Sequence, residues 1–364
     1  MIRAAQRIGA ALLVVLYALS SLAWGGAGRG WAALEDASSF VIRDDLGRDV
    51  AIPGRVERIV SLQPEASRIL AALGSVDRLV GLDYFLAKYD HVFPIIVPGL
   101  KDIPVVAYED ASANMEAIIR LNPDVILASP SDPHVPDALQ SKVGKPVVAV
   151  SSLGHFDKLL EEIRLIGRVV GRSSRAEELI AYFRETLDLL DKPLRGVPPA
   201  DRPRAYLAFW SSLVRTPSSY DPVAAAGGRN IAEGLASVQK GSDTVVVSLE
   251  RILDWNPDII LVHGNFAPPE RAVTVDGVLG DTRLRSVKAV RDKRVFYTFG
   301  FWYWWDPAQV LVETLYLAKL FHPTLFQGLD LEREGNRIYK KVYGIENGYS
   351  ALCRSIQCDE WLKN

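Results

Sequence analysis

The segment Asn114-Met-Glu-Ala-Ile-Ile-Arg-Leu-Asn-Pro-Asp-Val-Ile-Leu recurs as Ser248-Leu-Glu-Arg-Ile-Leu-Asp-Trp-Asn-Pro-Asp-Ile-Ile-Leu. The offset is constant at 134 residues, from Glu116 to Glu250 and from Asn122 to Asn256. Each copy reads as an N-cap residue, a Glu in the first helical turn, a short helix ended by Asn-Pro-Asp, and the start of a buried strand. A helix–strand unit duplicated at that separation restricts the chain to two similar halves. Its 364 residues suit two domains, each large enough to bury a core of its own.

From Arg58 onward short β-rich runs alternate with helical patterns, first Ile59 to Leu62, Leu79 to Leu82, Val125 to Ala128 and Val147 to Val150. The plan returns after Arg204 with Ala205 to Phe209, Ile259 to Val262 and Val295 to Phe299. Such alternation predicts parallel sheets covered by helices, hence an α/β chain of two Rossmann-like lobes, 41–153 and 203–364. Residues 154–192 link them as helices, His155 to Val170 and then Ser174 to Asp191, the second opened by a Ser174/Glu177 capping box and stopped by Pro193. Eighteen helical residues span roughly 27 Å, enough for a stiff strut between lobes with a ligand cleft between them.

The N-terminus carries Arg3 and Arg7, an apolar run from Ile8 to Trp24, and then small residues, the order of a secretory signal spanning 1–33 with cleavage between about Ala23 and Ala33. The run is shorter than the roughly 20 residues of a spanning helix, so export to the periplasm is the reading rather than a membrane anchor. No cysteine stands near that junction to carry a lipid, and a free monomer is expected. Cys353 and Cys358 are the only cysteines, and in an oxidising compartment they form one disulfide across a short loop. A net charge of -2 provides no field for gathering nucleic acid.

At the repeat the sequence resembles the class III periplasmic solute-binding proteins of ABC importers, which serve iron-siderophore, haem, cobalamin and some oxyanion systems. Asp45-Leu-Gly-Arg-Asp-Val-Ala-Ile-Pro, Arg58-Ile-Val-Ser-Leu-Gln-Pro, Ala72-Leu-Gly-Ser-Val-Asp-Arg-Leu-Val-Gly-Leu and both Asn-Pro-Asp elements carry the likeness over nearly the whole mature chain. The resemblance implies that Glu116 and Glu250 lie on the two lobe surfaces and pair with arginines of an inner-membrane permease. Two carboxylates on separate lobes would gauge how far the lobes have closed. After Ser61-Leu-Gln-Pro the chain departs from the family pattern, with Glu65, Ala66, Ser67 and Arg68 in place of small polar residues followed by Glu.

In open α/β sheets ligands lie beyond the carboxyl ends of strands. That rule selects Tyr84, Asp110, Trp210, Arg215, His263, Trp302, Tyr303 and Trp304 as ligand-binding candidates, the last three within the aromatic run Gly300 to Asp306. Aromatic walls suit a flat or hydrophobic chelate. His134 and His263 stand in comparable loops, but two histidines without a third ligand do not make a metal site, and no resident cofactor is expected. The candidate loops offer chiefly Arg215 beside Asp83, Asp110, Asp132 and Asp306, which favours a neutral or modestly charged iron(III)-siderophore or similar iron complex. Corrinoid or haem binding is the alternative, and molybdate or tungstate remains open where backbone amides do the binding. No Gly-x-Ser-x-Gly elbow, His-Glu-x-x-His or phosphate loop supports the competing class, a metal-dependent periplasmic enzyme.

Overall fold

The structure is a computed structural model and describes residues 38–91, 93–108, 112–130, 132–150, 154–210, 212–237, 244–264, 272–300, 305–358 and 361. The first lobe opens with an antiparallel hairpin of β1 (Phe40–Arg43) and β2 (Asp49–Ile52). It continues through β3 (Ile59–Ser61), α1 (Pro64–Ala72), β4 (Leu79–Gly81), α2 (Tyr84–Tyr89), α3 (Phe93–Ile96), α4 (Met115–Leu121), β5 (Val125–Ala128), α5 (His134–Val143) and β6 (Val147–Ala149). Two helices follow, α6 (Phe156–Val169) and α7 (Ser173–Leu194). The second lobe runs β7 (Arg204–Ala208), β8 (Arg215–Pro217), α8 (Asp221–Ala225), β9 (Arg229–Asn230), β10 (Thr244–Val246), α9 (Leu249–Trp255), β11 (Ile259–His263), α10 (Val275–Gly280), α11 (Lys288–Arg291), β12 (Val295–Thr298), α12 (Gln309–Phe321), α13 (Leu331–Tyr343) and α14 (Gly348–Ile356).

Two separate parallel sheets result, in the orders β4-β3-β5-β6 and β12-β11-β7-β9. Counted from the first strand of each lobe, both orders read second, first, third, fourth, so the sequence repeat is also a repeat of topology. The repeated motif supplies the third strand in each case, and its local bonds explain the residues. Asn114 Oδ1 accepts from the Ala117 amide at 3.0 Å, and Ser248 Oγ accepts from the Arg251 amide at 3.2 Å, capping α4 and α9. Asn122 and Asn256 close those helices in the left-handed region, at φ 43° and 45°, which asparagine tolerates better than most residues. Asp124 Oδ2 then accepts from the amides of Glu57 and Arg58, and Asp258 Oδ2 from the amide of Arg204. Each aspartate thereby ties the start of the third strand to the start of the first.

The alternation of side chains along the central strands separates the apolar layers. Val125 and Leu127 face a large core shared with Ile259, Leu261 and Leu207, whereas Ile126 and Ala128 face a small one on the far side of the first sheet. Ile260, Val262, Tyr206 and Ala208 face the corresponding outer core of the second sheet. The shared layer contains Ile163, Ile166, Ile180 and Phe183 of the linking helices, so the lobes do not bury wholly independent cores. At Gly167 a Cβ would stand 2.6 Å from the Ala176 Cβ, and its absence lets α6 and α7 pack closely.

The linking region departs from its sequence reading in two details. The second helix begins at Ser173 with Arg172 at its cap, a side chain that cannot accept from the first amides, and Glu177 pairs instead with Arg164 of α6, with Oε1 2.6 Å from Nε. Pro193 lies inside the last turn rather than ending the helix, which continues to Leu194. A proline there forfeits one backbone hydrogen bond in a turn that is already ending.

The C-terminal helices reach back across the molecule. Arg175 of α7 donates to the carbonyls of Ala72 in α1 and of Lys341 and Val342 in α13. His91 and Ser355 meet at 3.1 Å, and Lys341 pairs with Glu178 at 2.6 Å. Cys353 and Cys358 are joined in a disulfide at the end of α14. No helix among the described residues is long and apolar enough to cross a membrane.

Candidate functional site

At the carboxyl end of the second sheet, β7 runs into Phe209 and Trp210. The Phe209 amide donates to the Arg215 carbonyl at 3.0 Å, and the Ser212 amide to the Phe209 carbonyl at 3.2 Å, which folds this segment into a tight turn. Trp210, half-buried with its ring 6.1 Å from that of Phe209, holds φ at 51°. A bulky side chain in the left-handed region is an outlier that persists only where the surroundings fix it. β11 ends in His263, buried 5.0 Å from the Phe209 ring. β12 ends in Thr298, followed by Phe299 and by Gly300 at φ 59°, where a Cβ would come 2.8 Å from the His263 ring.

Beneath these strand ends lies Glu313, fully buried in α12. Its carboxylate accepts from the Thr298 hydroxyl, from the Phe299 amide at 3.0 Å and from the Tyr220 hydroxyl at 3.4 Å. Burial pushes Glu313 up to about 7, against those hydrogen bonds, and pushes the His263 imidazole down to about 3, against the opposing pull of the Phe299 carbonyl. His263 is therefore neutral at physiological pH.

At the carboxyl end of the first sheet, α1 carries buried Glu65, Ser67 and Arg68. Arg68 pairs with Asp90 of its own lobe and stands 3.9 Å from Asp306 of the other. Asp306 accepts from the Tyr343 hydroxyl at 2.7 Å and from the amides of Ala308 and Gln309, both at 2.8 Å, while Asp90 accepts from the Phe93 amide at 2.7 Å. Burial works against the Arg68 charge, yet its two carboxylate partners outweigh it and hold the guanidinium above its ordinary value. Trp305 lies against Phe156 of α6 and Tyr220, at 5.5 and 6.1 Å. The segment after β12 thus rests on both the first lobe and the linking helices.

Burial also pushes Asp83, which caps α2, up to about 7. A carboxyl raised in the folded state favours folding fully while protonated in both states, and that contribution is lost as pH rises from the ordinary aspartate range through about 7. Asp83→Asn keeps an oxygen for the Leu86 amide and removes the charge. It is expected to be roughly 4 kcal/mol more stable than the parent at pH 8 and nearly equal at pH 4, as urea denaturation at the two pH values checks.

Of the sequence-selected residues, Trp210 and His263 come together around Phe209. Tyr84 is half-buried at the start of α2, 5.8 and 6.0 Å from the rings of Phe85 and Tyr89, with the Lys88 ammonium 5.0 Å from the Tyr84 ring. Arg215 is exposed and opens β8, paired across the ribbon with Val246, so its backbone rather than its guanidinium shapes the Trp210 turn. His134 is exposed at the start of α5 while His263 is buried, and the described residues hold no cluster of three metal-ligating side chains. Asp110, Trp302, Tyr303, Trp304 and the N-terminal segment 1–33 lie outside the described residues. Glu116 and Glu250 are both exposed in first turns of their helices. Sequence reasoning missed the roles of Arg68, Asp90 and Glu313. The available signals were the charged residues at the start of α1 and a single charged residue in the mostly apolar stretch Val310 to Leu317.

Residues 59–299 match the periplasmic binding protein family. The chain belongs to this family. Among curated relatives, the molybdate-binding protein MolA of Haemophilus influenzae is 28% identical over 356 residues, covering 91% of this chain and 95% of that protein. A cobalamin-binding protein of Halobacterium salinarum is 27% identical over 237 residues, 63% of this chain and 60% of that protein. The solved structure of MolA bound to molybdate superposes with a TM-score of 0.71 at 26% identity, covering 84% of this chain and 98% of that one. Helicobacter pylori CeuE with Ni(II) bound shares the fold at a TM-score of 0.71 and 20% identity, covering 85% and 99%. As a periplasmic binding protein, the chain is a solute-binding component of ABC transport, in a family of binders rather than enzymes.

Proposed function

We propose that this periplasmic binding protein captures a compact metal oxyanion, molybdate or tungstate, between the carboxyl ends of its two sheets and delivers it to an inner-membrane ABC permease. Export by the N-terminal signal segment places it in the periplasm, and Glu116 and Glu250 meet the permease. The observation that carries the ligand class is the likeness to MolA, which extends over 95% of that protein, whereas the cobalamin-binding relative is matched over 60% of its length. The electrostatics support it. The one buried arginine among the described residues, Arg68, is already committed to Asp90 and Asp306. A large, strongly anionic chelate calls for several uncommitted guanidiniums, while a small tetrahedral anion is satisfied by a few N–H and O–H donors.

The strained backbone of Trp210 supports a ligand wall at the end of β7, since such strain concentrates at ligand clamps. Trp210→Gly is expected to weaken molybdate binding by about tenfold or more, ~1.4 kcal/mol, with only a small fall in melting temperature, because relief of the left-handed conformation offsets part of the packing lost against Phe209. Titration calorimetry and a thermal melt on the same preparation check both parts. The ligand class itself is tested by calorimetric titration with molybdate, tungstate, sulfate, a ferric hydroxamate, cyanocobalamin and haemin. Saturable binding of molybdate and tungstate without sulfate is the expected result. Saturable binding of the iron complex or corrinoid, with none of the oxyanions, would overturn it in favour of the chelate reading.

A further inference from the structure

We infer that Glu313 is a positioning residue that fixes the ligand-facing end of β12 and, through Tyr220 and Asp221, ties it to the start of the linking helices. This deepens the proposed function, because it concerns the same strand ends. On one side, Glu313 Oε2 takes the Phe299 amide at 3.0 Å and Oε1 takes the Thr298 hydroxyl. These residues stand where the chain leaves the sheet, one step before Gly300, which is pressed against His263 and Phe209 at the ends of β11 and β7. The carboxylate therefore sets the height of a peptide onto which all three strand ends converge.

On the other side, Glu313 Oε1 takes the Tyr220 hydroxyl at 3.4 Å. The next residue, Asp221, donates its amide to the Gly154 carbonyl at 3.1 Å and accepts the Phe156 amide on Oδ2 at 2.7 Å. Phe156 is the first residue of α6, so a carboxylate of the second lobe supplies a partner for the orphan amide of the linking helix. Displacement of the Phe299 peptide by a bound solute is transmitted through three side chains to the element that orients the lobes carrying Glu116 and Glu250.

A buried carboxylate is expensive unless its acceptor capacity is used, and an apolar residue would fill the same space in this apolar helix. Here its partners are the hydroxyls of Thr298 and Tyr220 and the amides of Phe299 and Gly300, all of which donate. The ionisable groups facing it are Tyr220 at the cap of α8, Tyr316 on its own helix and, across Gly300, His263 of β11. The tyrosines are held neutral by burial, and so is His263, which leaves Glu313 as the group that titrates near neutrality. Protonation removes an acceptor position and loosens the grip on the loop.

The test uses the full mature protein, with sodium molybdate as the probe, and three variants, Glu313→Gln, Glu313→Asp and Tyr220→Phe. In the protein without added ligand, hydrogen exchange at the Phe299 amide is expected to accelerate at least about tenfold in Glu313→Gln. Without molybdate, exchange at the Phe156 amide in Tyr220→Phe should stay within about threefold of the parent. With molybdate, the parent is expected to gain protection at Phe156 and to lose affinity as pH falls from 8 to 5.5. Glu313→Gln should bind about tenfold more weakly with a flat pH profile, Glu313→Asp should restore part of both, and Tyr220→Phe should still bind molybdate but without gaining protection at Phe156. Parental exchange at Phe299 in Glu313→Gln, or ligand-induced protection at Phe156 that survives Tyr220→Phe, overturns the inference. Absence of molybdate binding by the parent defeats the ligand reading alone, because exchange in the unliganded protein still decides whether Glu313 holds the loop. Should Glu313→Gln fail to fold, Glu313→Asp and Tyr220→Phe decide the question.

Discussion

Reversing both Glu116 and Glu250 to arginine is expected to reduce import of the solute to background while leaving the solute affinity of the purified protein within about twofold of the parent. Both residues are exposed, each in the first turn of a capped helix that positions its carboxylate on the lobe surface. Neither helix contributes to the strand-end loops around Trp210 and His263, so the reversals are expected to affect docking without affecting binding. The single reversals should be unequal. Glu116 has Arg120 one turn on, with a separation of 4.0 Å, whereas the matching residue one turn after Glu250 is Asp254. The second lobe therefore presents the stronger negative patch, and Glu250→Arg alone should impair uptake more than Glu116→Arg. Uptake by cells carrying each variant, read beside calorimetry on the same proteins, checks this. Parallel loss of affinity and uptake would sink the docking assignment.

Arg68→Ala is expected to destabilise the protein by about 3–5 kcal/mol, because it strands the Asp90 and Asp306 carboxylates in a buried site. Their remaining partners are neutral, the Tyr343 hydroxyl and the amides of Phe93, Ala308 and Gln309. The pair Arg68–Asp306 also joins the two lobes, so part of the loss should appear as greater freedom between them. Urea denaturation measures the first effect, and small-angle scattering of the unliganded protein the second. A loss below about 1 kcal/mol would mean that water reaches the pair, as it does in surface ion pairs.

The parallel sheets, their strands and the doubled topology were legible because each depends on local pattern. Apolar runs of strand length, helix caps such as Asn114 and Ser248, and the left-handed asparagines before proline carry their meaning within a few residues. The Ser174/Glu177 capping box failed for the complementary reason. Glu177 pairs instead with Arg164, a partner thirteen residues away that no short-range rule weighs. The buried polar residues were illegible in the same way. Nothing adjacent to Arg68 in sequence announces Asp306, and Glu313 carries no sign that Thr298, Phe299 and Tyr220 surround it.

The chain by itself thus determined two α/β lobes and a matched, exposed acid on each of them. Only the tertiary structure decided that the lobes share an apolar layer through α6 and α7, that α13 and α14 close back onto the first lobe, and that buried carboxylates grip both flanks of the segment after β12. Periodicity reports which face of an element is apolar. Which distant surface covers that face, and which charge is taken out of water with it, is settled only when the elements pack.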